Sequence, residues 1–299
     1  MNDWCDKIIL GNCVDLLKTF PDNTFDLAFA DPPFNLAKNY GVCEDKMDDS
    51  EYIAWSEAWQ RELVRVTKPT GSIVIHHIPN WLIQYANILN RYAVFKAWIA
   101  WDALSAPRGK KLLPAHYGFL HYEKVAKGSK FHQLRHPHKR CFRCEATVKS
   151  YGGKKKNLHP FGPLVSDVWV DIPRMRNKDS RKERHPCQLP VPVMERIILM
   201  TTDEGDQILD PFMGSGTTAI AAKQMGRHFT GIEIDPQYKM LAERYLQEVQ
   251  VSKIGEAYVS QYKDKIFTIR DEDWETLLKP HFVLHENPAD IELKPIRLA

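Results

Sequence analysis

Residues 207–218 read Gln207-Ile208-Leu209-Asp210-Pro211-Phe212-Met213-Gly214-Ser215-Gly216-Thr217-Thr218. A helix signal follows from Ala219 to Met225, then a strand signal from Phe229 to Ile234 and the dipeptide Asp235-Pro236. A short apolar run ending in a glycine turn, a helix and a second strand make the repeating unit of an α/β sheet. Gly214 and Gly216 let the backbone pass close to a ligand. The helix N-terminus beyond them offers free N–H groups, and Glu233 at the end of the next strand can take two ribose hydroxyls. The segment reads as a nucleoside-binding crevice. It is not a phosphate loop, because the spacing and lysine of G-x-x-x-x-G-K-[ST] are absent. Gly214-x-Gly216-x-x-Ala219 also fits the NAD fingerprint, so the loop alone leaves the ligand open. Asp210 weighs against NAD, since a carboxylate there repels a pyrophosphate and attracts a cationic amino acid group.

Only 64 residues follow Asp235, and they hold few strand signals. A doubly wound sheet needs more strands than that after its first nucleotide-binding pair, so the missing ones must lie at the amino end. The amino third supplies them. Lys7 to Gly11 and Phe25 to Ala30 read as strands, with a helix turn from Val14 to Phe20 between them. Ser50 reads as the cap of a helix to about Thr67, whose Ile53, Trp55, Trp59, Leu63 and Val66 form a stripe expected in the core. Gly71 opens the strand GSIVIHH, Trp81 to Asn90 is expected helical, and Val94 to Trp101 and Tyr117 to Tyr122 read as strands. After a basic stretch, Val191 to Met200 reads as a helix, and Asp235-Pro236 caps a last one to about Val249.

The 299 residues are 43% hydrophobic and 26% charged, which excludes a disordered chain and allows a sizeable core. No apolar run reaches the roughly 20 residues of a membrane span, and MNDWCDK does not look like a signal peptide, so a cytoplasmic protein without a membrane partner is expected. Six cysteines fit reduced thiols or a metal site better than a disulfide framework. The net charge of +3 conceals a division. Lys124 to Arg184 holds 17 Lys and Arg against 5 acidic residues, a balance of +12, and leaves 24 basic and 33 acidic residues, or −9, elsewhere. A basic excess of that size is the footprint expected for a polyanion partner.

The strand Phe25 to Ala30 runs into Asp31-Pro32-Pro33-Phe34. Paired prolines can continue neither a helix nor a sheet ladder, so these residues make a rigid loop at a strand's carboxyl end. This tetrapeptide, together with DPFMGSGTT and GIEID, resembles the motifs of the amino-group DNA methyltransferases that use S-adenosylmethionine, over roughly residues 7 to 249. The catalytic motif precedes the cofactor motif, with a basic insert between, as in the permuted β group. The resemblance implies a doubly wound, Rossmann-like α/β fold, circularly permuted, with an inserted target-recognition region. Residues 1–123 would be the catalytic half, 124–184 the insert and 185–250 the cofactor half, followed by an extension, 251–299, without assigned role.

An exocyclic amino nitrogen on adenine or cytosine is a poor nucleophile because its lone pair is delocalised into the ring. The Asp31 carboxylate and a carbonyl fixed by Pro32 and Pro33, that of Pro32, can accept both amino hydrogens and aim the lone pair at the sulfonium methyl. Phe34 would stack on a base flipped from duplex DNA. Carried over from the family, the cofactor would be held by Asn12, Cys13, Asp31, Gln188, Asp210, Phe212, Gly214, Ser215, Gly216, Thr217, Glu233 and Asp235. Asn12 stands where the family usually has aspartate. His185 to Pro190 resembles H-P-T-Q-K-P, with Cys187 for Thr and Leu189 for Lys. His76 and His77 are read as structural or as neighbours of the base pocket. Asp31 at the head of its motif favours N6 of adenine over N4 of cytosine, with RNA as a lesser substrate.

The insert contains His136-Pro137-His138-x-x-Cys141-x-x-Cys144, and soft thiolates with imidazole suit a structural zinc. Cys141, Cys144, His138 and His136 are the ligands, with His159 or Cys187 as replacements for His136. Such a zinc would hold Arg140, Arg143, Lys149, Lys154, Lys155 and Lys156 against DNA. Relatives often dimerise or accompany a restriction nuclease, and the sequence leaves both open. The rivals from other classes are an NAD-linked oxidoreductase and a non-catalytic zinc DNA-binding protein.

Overall fold

A computed structural model describes residues 3–36, 46–103, 115–134, 164–174 and 188–249. In chain order the elements are β1 (Lys7–Leu10), α1 (Cys13–Leu17), β2 (Phe25–Ala30), α2 (Asp49–Val66), β3 (Thr67–His77), α3 (Pro79–Leu89), β4 (Val94–Asp102), β5 (His116–Glu123), β6 (Val168–Trp169), α4 (Val191–Thr201), β7 (Gln207–Asp210), α5 (Thr217–Gln224), β8 (His228–Glu233) and α6 (Pro236–Glu248). The eight strands form one sheet in the order β1-β8-β7-β2-β3-β5-β4-β6. Neighbours from β1 to β3 run parallel, β5 is antiparallel to β3 and β4, and β6 is parallel to β4.

β2 is buried at all six positions, as expected of a parallel strand covered on both faces. Helix α2 contacts both α1 and α3, and α5 contacts both α4 and α6. Trp59, Leu63, Tyr85, Ile73, Ile75 and Leu209 belong to one core cluster, to which Trp55 is only peripheral. The chain leaves β7 through α5 toward β8 and leaves β2 through α2 toward β3. Adjacent β2 and β7 therefore mark the point where the sheet's winding reverses, and ligands of open α/β sheets bind outside the carboxyl ends of such strands.

Several boundaries differ from expectation. The cap of α2 is Asp48, and Ser50 lies within the first turn, its hydroxyl donating to the Asp48 carboxylate at 2.8 Å. β3 begins at Thr67 rather than Gly71, because Thr67 already pairs with Phe25 across a register shift in β2. β6 had no sequence signal, being two residues long.

The larger compact unit comprises residues 1–131 and 167–253. Two lysines counted in the basic stretch are tied into it. Lys124 Nζ donates to the Asn23 side chain and to the Arg65 and Thr67 carbonyls, and Lys130 pairs with Asp206 at 2.7 Å and Asp203 at 3.0 Å. Arg196, 1% exposed, forks onto Asp171 and lies over the Trp169 ring, which fastens the segment after β6 to α4. The second unit, residues 132–166 and 254–299, is described only at 132–134 and 164–166. No helix among the described residues is long and apolar enough to cross a membrane.

Candidate functional site

The carboxyl ends of β1, β2, β7 and β8 open into one cleft of about 250 Å³. Its lining includes the whole Asp31-Pro32-Pro33-Phe34 loop, together with Asn12, Cys13, Gln188, Asp210, Phe212, Gly214, Ser215, Thr217 and Glu233. Two expected cofactor residues are not in the lining. Gly216 sits at φ +89° as the cap of α5, and a Cβ there would lie 2.7 Å from Ala242 Cβ, so its glycine serves helix packing. Asp235 caps α6 by accepting the Gln237 N–H at 2.7 Å, and its own N–H donates to Glu233 Oε1 at 2.8 Å. Asn12 does line the cleft, but its Oδ1 is spent on the Val14 N–H at 2.8 Å as the cap of α1, which leaves only its amide N–H groups for a ligand.

Three carboxylates face this space. Glu233 accepts the Gly214 N–H at 2.6 Å in addition to that of Asp235, which sets the glycine turn against the end of β8. Asp210 accepts the Phe212 N–H at 2.9 Å and the Thr218 hydroxyl at 2.5 Å. Burial pushes Asp210 up to about 7, with Asp31 and Glu233 adding to the shift, and burial also raises Glu233. Lys46 is the one lysine or arginine in the described lining. The cleft therefore carries uncompensated negative potential, which suits a cationic ligand and opposes a pyrophosphate. Burial pushes the Cys13 thiol up to about 12, so it lines the cleft as an inert apolar group.

The proline loop is held from behind. Tyr52, on the first turn of α2, donates its hydroxyl to the Pro33 carbonyl. That hydroxyl lies 2.9 Å from His77 Nε2 and receives a hydrogen bond from the Tyr85 hydroxyl at 2.8 Å, which in turn receives one from Ser56 at 3.1 Å. The tautomer of His77 follows. Burial holds it down to about 3, and Nδ1 accepts the Ile78 N–H at 2.8 Å, so the single ring proton is on Nε2 and points at Tyr52. The Pro33 carbonyl is thereby occupied.

Phe34 is only 3% exposed, and its ring packs on His77 with centroids 4.5 Å apart. It contributes a wall of the cleft rather than a free platform. Asn35 binds Met47 with two hydrogen bonds, 2.7 Å and 3.0 Å, and so brings Lys46 and Met47 to the lining from across the chain segment 37–45. Tyr52, Trp55, Asn35 and Tyr238 were not singled out as site residues by sequence. The polar Tyr52 and Ser56 among the aromatic residues at the start of this helix were the available signal.

The expected zinc ligands Cys141, Cys144, His138 and His136, their alternates His159 and Cys187, and the expected DNA contacts Arg140, Arg143, Lys149, Lys154, Lys155 and Lys156 lie outside the described residues. Among the described residues one group of metal-type donors occurs, Cys5, Asp6 and His228. It lies at the amino ends of β1 and β8, away from the cleft, where Asp6 accepts from His228 at 2.8 Å and from the Phe229 N–H at 3.1 Å.

Comparison with known proteins places this geometry among relatives. A family model described as DNA methylase matches residues 25–244. The Type II methyltransferase M.BamHI of Bacillus amyloliquefaciens is 40% identical over 268 residues, 88% of this chain and 62% of that protein. The Type II methyltransferase M.HpaI of Haemophilus parainfluenzae is 31% identical over 247 residues, 80% of this chain and 74% of that one. The chain thus spans somewhat less than two thirds of the length of the first of these relatives. Among solved structures, the cytosine-N4-specific PvuII DNA methyltransferase superposes with a TM-score of 0.59 at 18% identity, covering 86% of this chain and 90% of that one. The M1.HpyAVI–SAM complex gives 0.53 at 22% identity, covering 80% and 98%. At these identities the likeness is one of fold.

Proposed function

The chain belongs to the DNA methylase family, and from that premise we propose that it is a site-specific DNA methyltransferase that moves a methyl group from S-adenosylmethionine to the exocyclic amino nitrogen of a base flipped from duplex DNA. The observation that carries the reading is the juxtaposition of the Asp31-Pro32 acceptor pair with a cleft lined by Asp210 and Glu233 and short of cations. S-adenosylmethionine bears a sulfonium and an ammonium group, the charge this cleft lacks, whereas NAD brings a pyrophosphate that Asp210 and Glu233 would oppose.

In this reading Glu233 and the Asn12 amide hold the nucleoside part, and Asp210, Gln188, Ser215 and Thr217 surround the amino acid part. When bound, S-adenosylmethionine supplies an electrophilic methyl group: the nitrogen–carbon bond forms as the carbon–sulfur bond breaks, sulfur keeps the electron pair, and one amino proton passes to solvent. Asp31 and the Pro32 carbonyl accept the two amino hydrogens and aim the nitrogen lone pair along the line of attack. Asp31 stabilises the positive charge that grows on nitrogen as the new bond forms. The acceptor pair serves adenine and cytosine alike, and the aspartate at the head of the motif favours N6 of adenine. The motif order supports the permuted β group.

The experiment is methylation of mixed-sequence duplex DNA with labelled cofactor, followed by identification of the modified base and its flanks. Label in DNA as an N-methylated amino base is expected, and Asp31→Ala abolishes it. Transfer that survives this substitution, or tight NAD binding without a response to S-adenosylmethionine, refutes the reading. The proposal extends to a structural zinc on Cys141, Cys144, His138 and His136, presenting the insert's Arg and Lys residues to phosphates. Metal analysis of purified protein should find zinc, and Cys141→Ser should lose it.

A further inference from the structure

On the reading just given, we propose that His76 is a positioning residue for methyl transfer: a fixed donor that sets the plane of the Asp31 carboxylate and leaves its other oxygen for the target amino group. β3 lies beside β2 with Ile75 opposite Ala30, so the next residue of each strand, His76 and Asp31, emerges at the same level. His76 Nδ1 is 2.8 Å from Asp31 Oδ1. An ionised carboxylate only accepts, so Nδ1 carries the proton. Nε2 is buried with no hydrogen-bond partner among the described residues. With nothing for Nε2 to bind, Asp31 is the one hydrogen-bond partner the ring has among the described residues.

The ring is caged. Phe119 lies 4.6 Å from it centroid to centroid, Tyr117 5.5 Å, Phe34 5.6 Å and Trp101 6.0 Å. Aromatic walls on several sides hold the imidazole in one orientation, so the donor is fixed before substrate arrives. The orphaned Nε2 also leaves no onward path for a proton, which excludes His76 as a relay. The adjacent His77 acts on the same loop by a separate route, through Tyr52 to the Pro33 carbonyl.

The test uses the full chain with duplex DNA carrying its methylation site and S-adenosylmethionine, reading kcat, KM for DNA, and cofactor affinity by calorimetry. His76→Phe fills the cage without a donor and is expected to lower kcat on the order of 10- to 100-fold, the worth of a hydrogen bond to a charged group, with cofactor affinity unchanged. His76→Asn places an amide N–H near the position of Nδ1 and is expected to recover much of the loss. His76→Gln, whose amide reaches toward the position of Nε2, is not. If His76→Phe matches an active wild type in kcat, the proposal is overturned while the activity stands. A wild type without methyl transfer overturns the activity and this proposal with it. Should His76→Phe fail to bind cofactor at all, the Asn and Gln variants decide: Asn clearly faster than Gln supports the proposal, and equal or reversed rates overturn it.

Discussion

Asp210→Asn should separate the electrostatic role of the cleft from its shape. The substitution keeps an acceptor for the Phe212 N–H, and the new amide can donate to the Thr218 hydroxyl, so the turn after β7 retains both bonds. What changes is charge. Asp210 sits at about 7 against an ordinary 3.8, with burial as the main cause. The folded chain therefore holds a proton that the unfolded chain releases between those two values. Stability falls as pH rises through that window, by about 4 kcal/mol at full extent for this group. A cationic ligand favours the ionised form, so binding expels the proton near neutrality. A group at about 7 is roughly one-tenth ionised at pH 6 and nine-tenths at pH 8, so affinity for S-adenosylmethionine should rise about tenfold between them and then level. Calorimetry in two buffers of different ionisation enthalpy measures both the affinity and the proton released. Asp210→Asn should bind more weakly, release no proton and show a flat profile, while its thermal midpoint gains on that of wild type as pH rises from 5 to 8. A flat wild-type profile, or a slope that survives in the variant, refutes the assignment of the charge to Asp210.

The other expectations concern the frame around the site. Tyr52→Phe leaves the Pro33 carbonyl without its donor and His77 Nε2–H without its acceptor, and should cost about 1–3 kcal/mol in urea unfolding and lower kcat with little effect on cofactor affinity. Arg196→Met removes the fork onto Asp171, two residues past the end of β6, and should cost about 3 kcal/mol by the same measurement; an unchanged midpoint would show that the buried pair contributes nothing. Gly216→Ala combines a left-handed backbone with a Cβ too close to Ala242, and should destabilise by about 1–3 kcal/mol in thermal unfolding, with cofactor affinity falling only as the α5–α6 packing shifts.

Every strand but the two-residue β6, the helices and both loops of the cleft were legible because their signals are local. Pro32 and Pro33 forbid regular structure wherever they occur, and Asp235-Pro236 caps a helix without outside help. Where legibility failed, the cause was a residue whose partner lies far along the chain. Trp55 fits a core stripe by spacing, yet it lines the cleft because α2 begins beside the proline loop. Gly216 and Asp235 belong to motifs that read as ligand contacts, but one packs α5 on α6 and the other holds Glu233. A motif records which residues are needed near a site and not which of them touch the ligand.

Sequence by itself determined that strands run up to Asp31 and Asp210, that a glycine turn follows the second, and that basic charge is concentrated in one stretch. Only the tertiary structure decided how these meet. Parallel pairing of β2 with β7 sets the proline loop beside the glycine turn, and pairing of β2 with β3 sets His76 against Asp31, 45 residues away. The physical reason is register: hydrogen-bonded strands fix which residues stand level at the sheet's edge, and burial there converts ordinary carboxylates into a cleft in need of a cation.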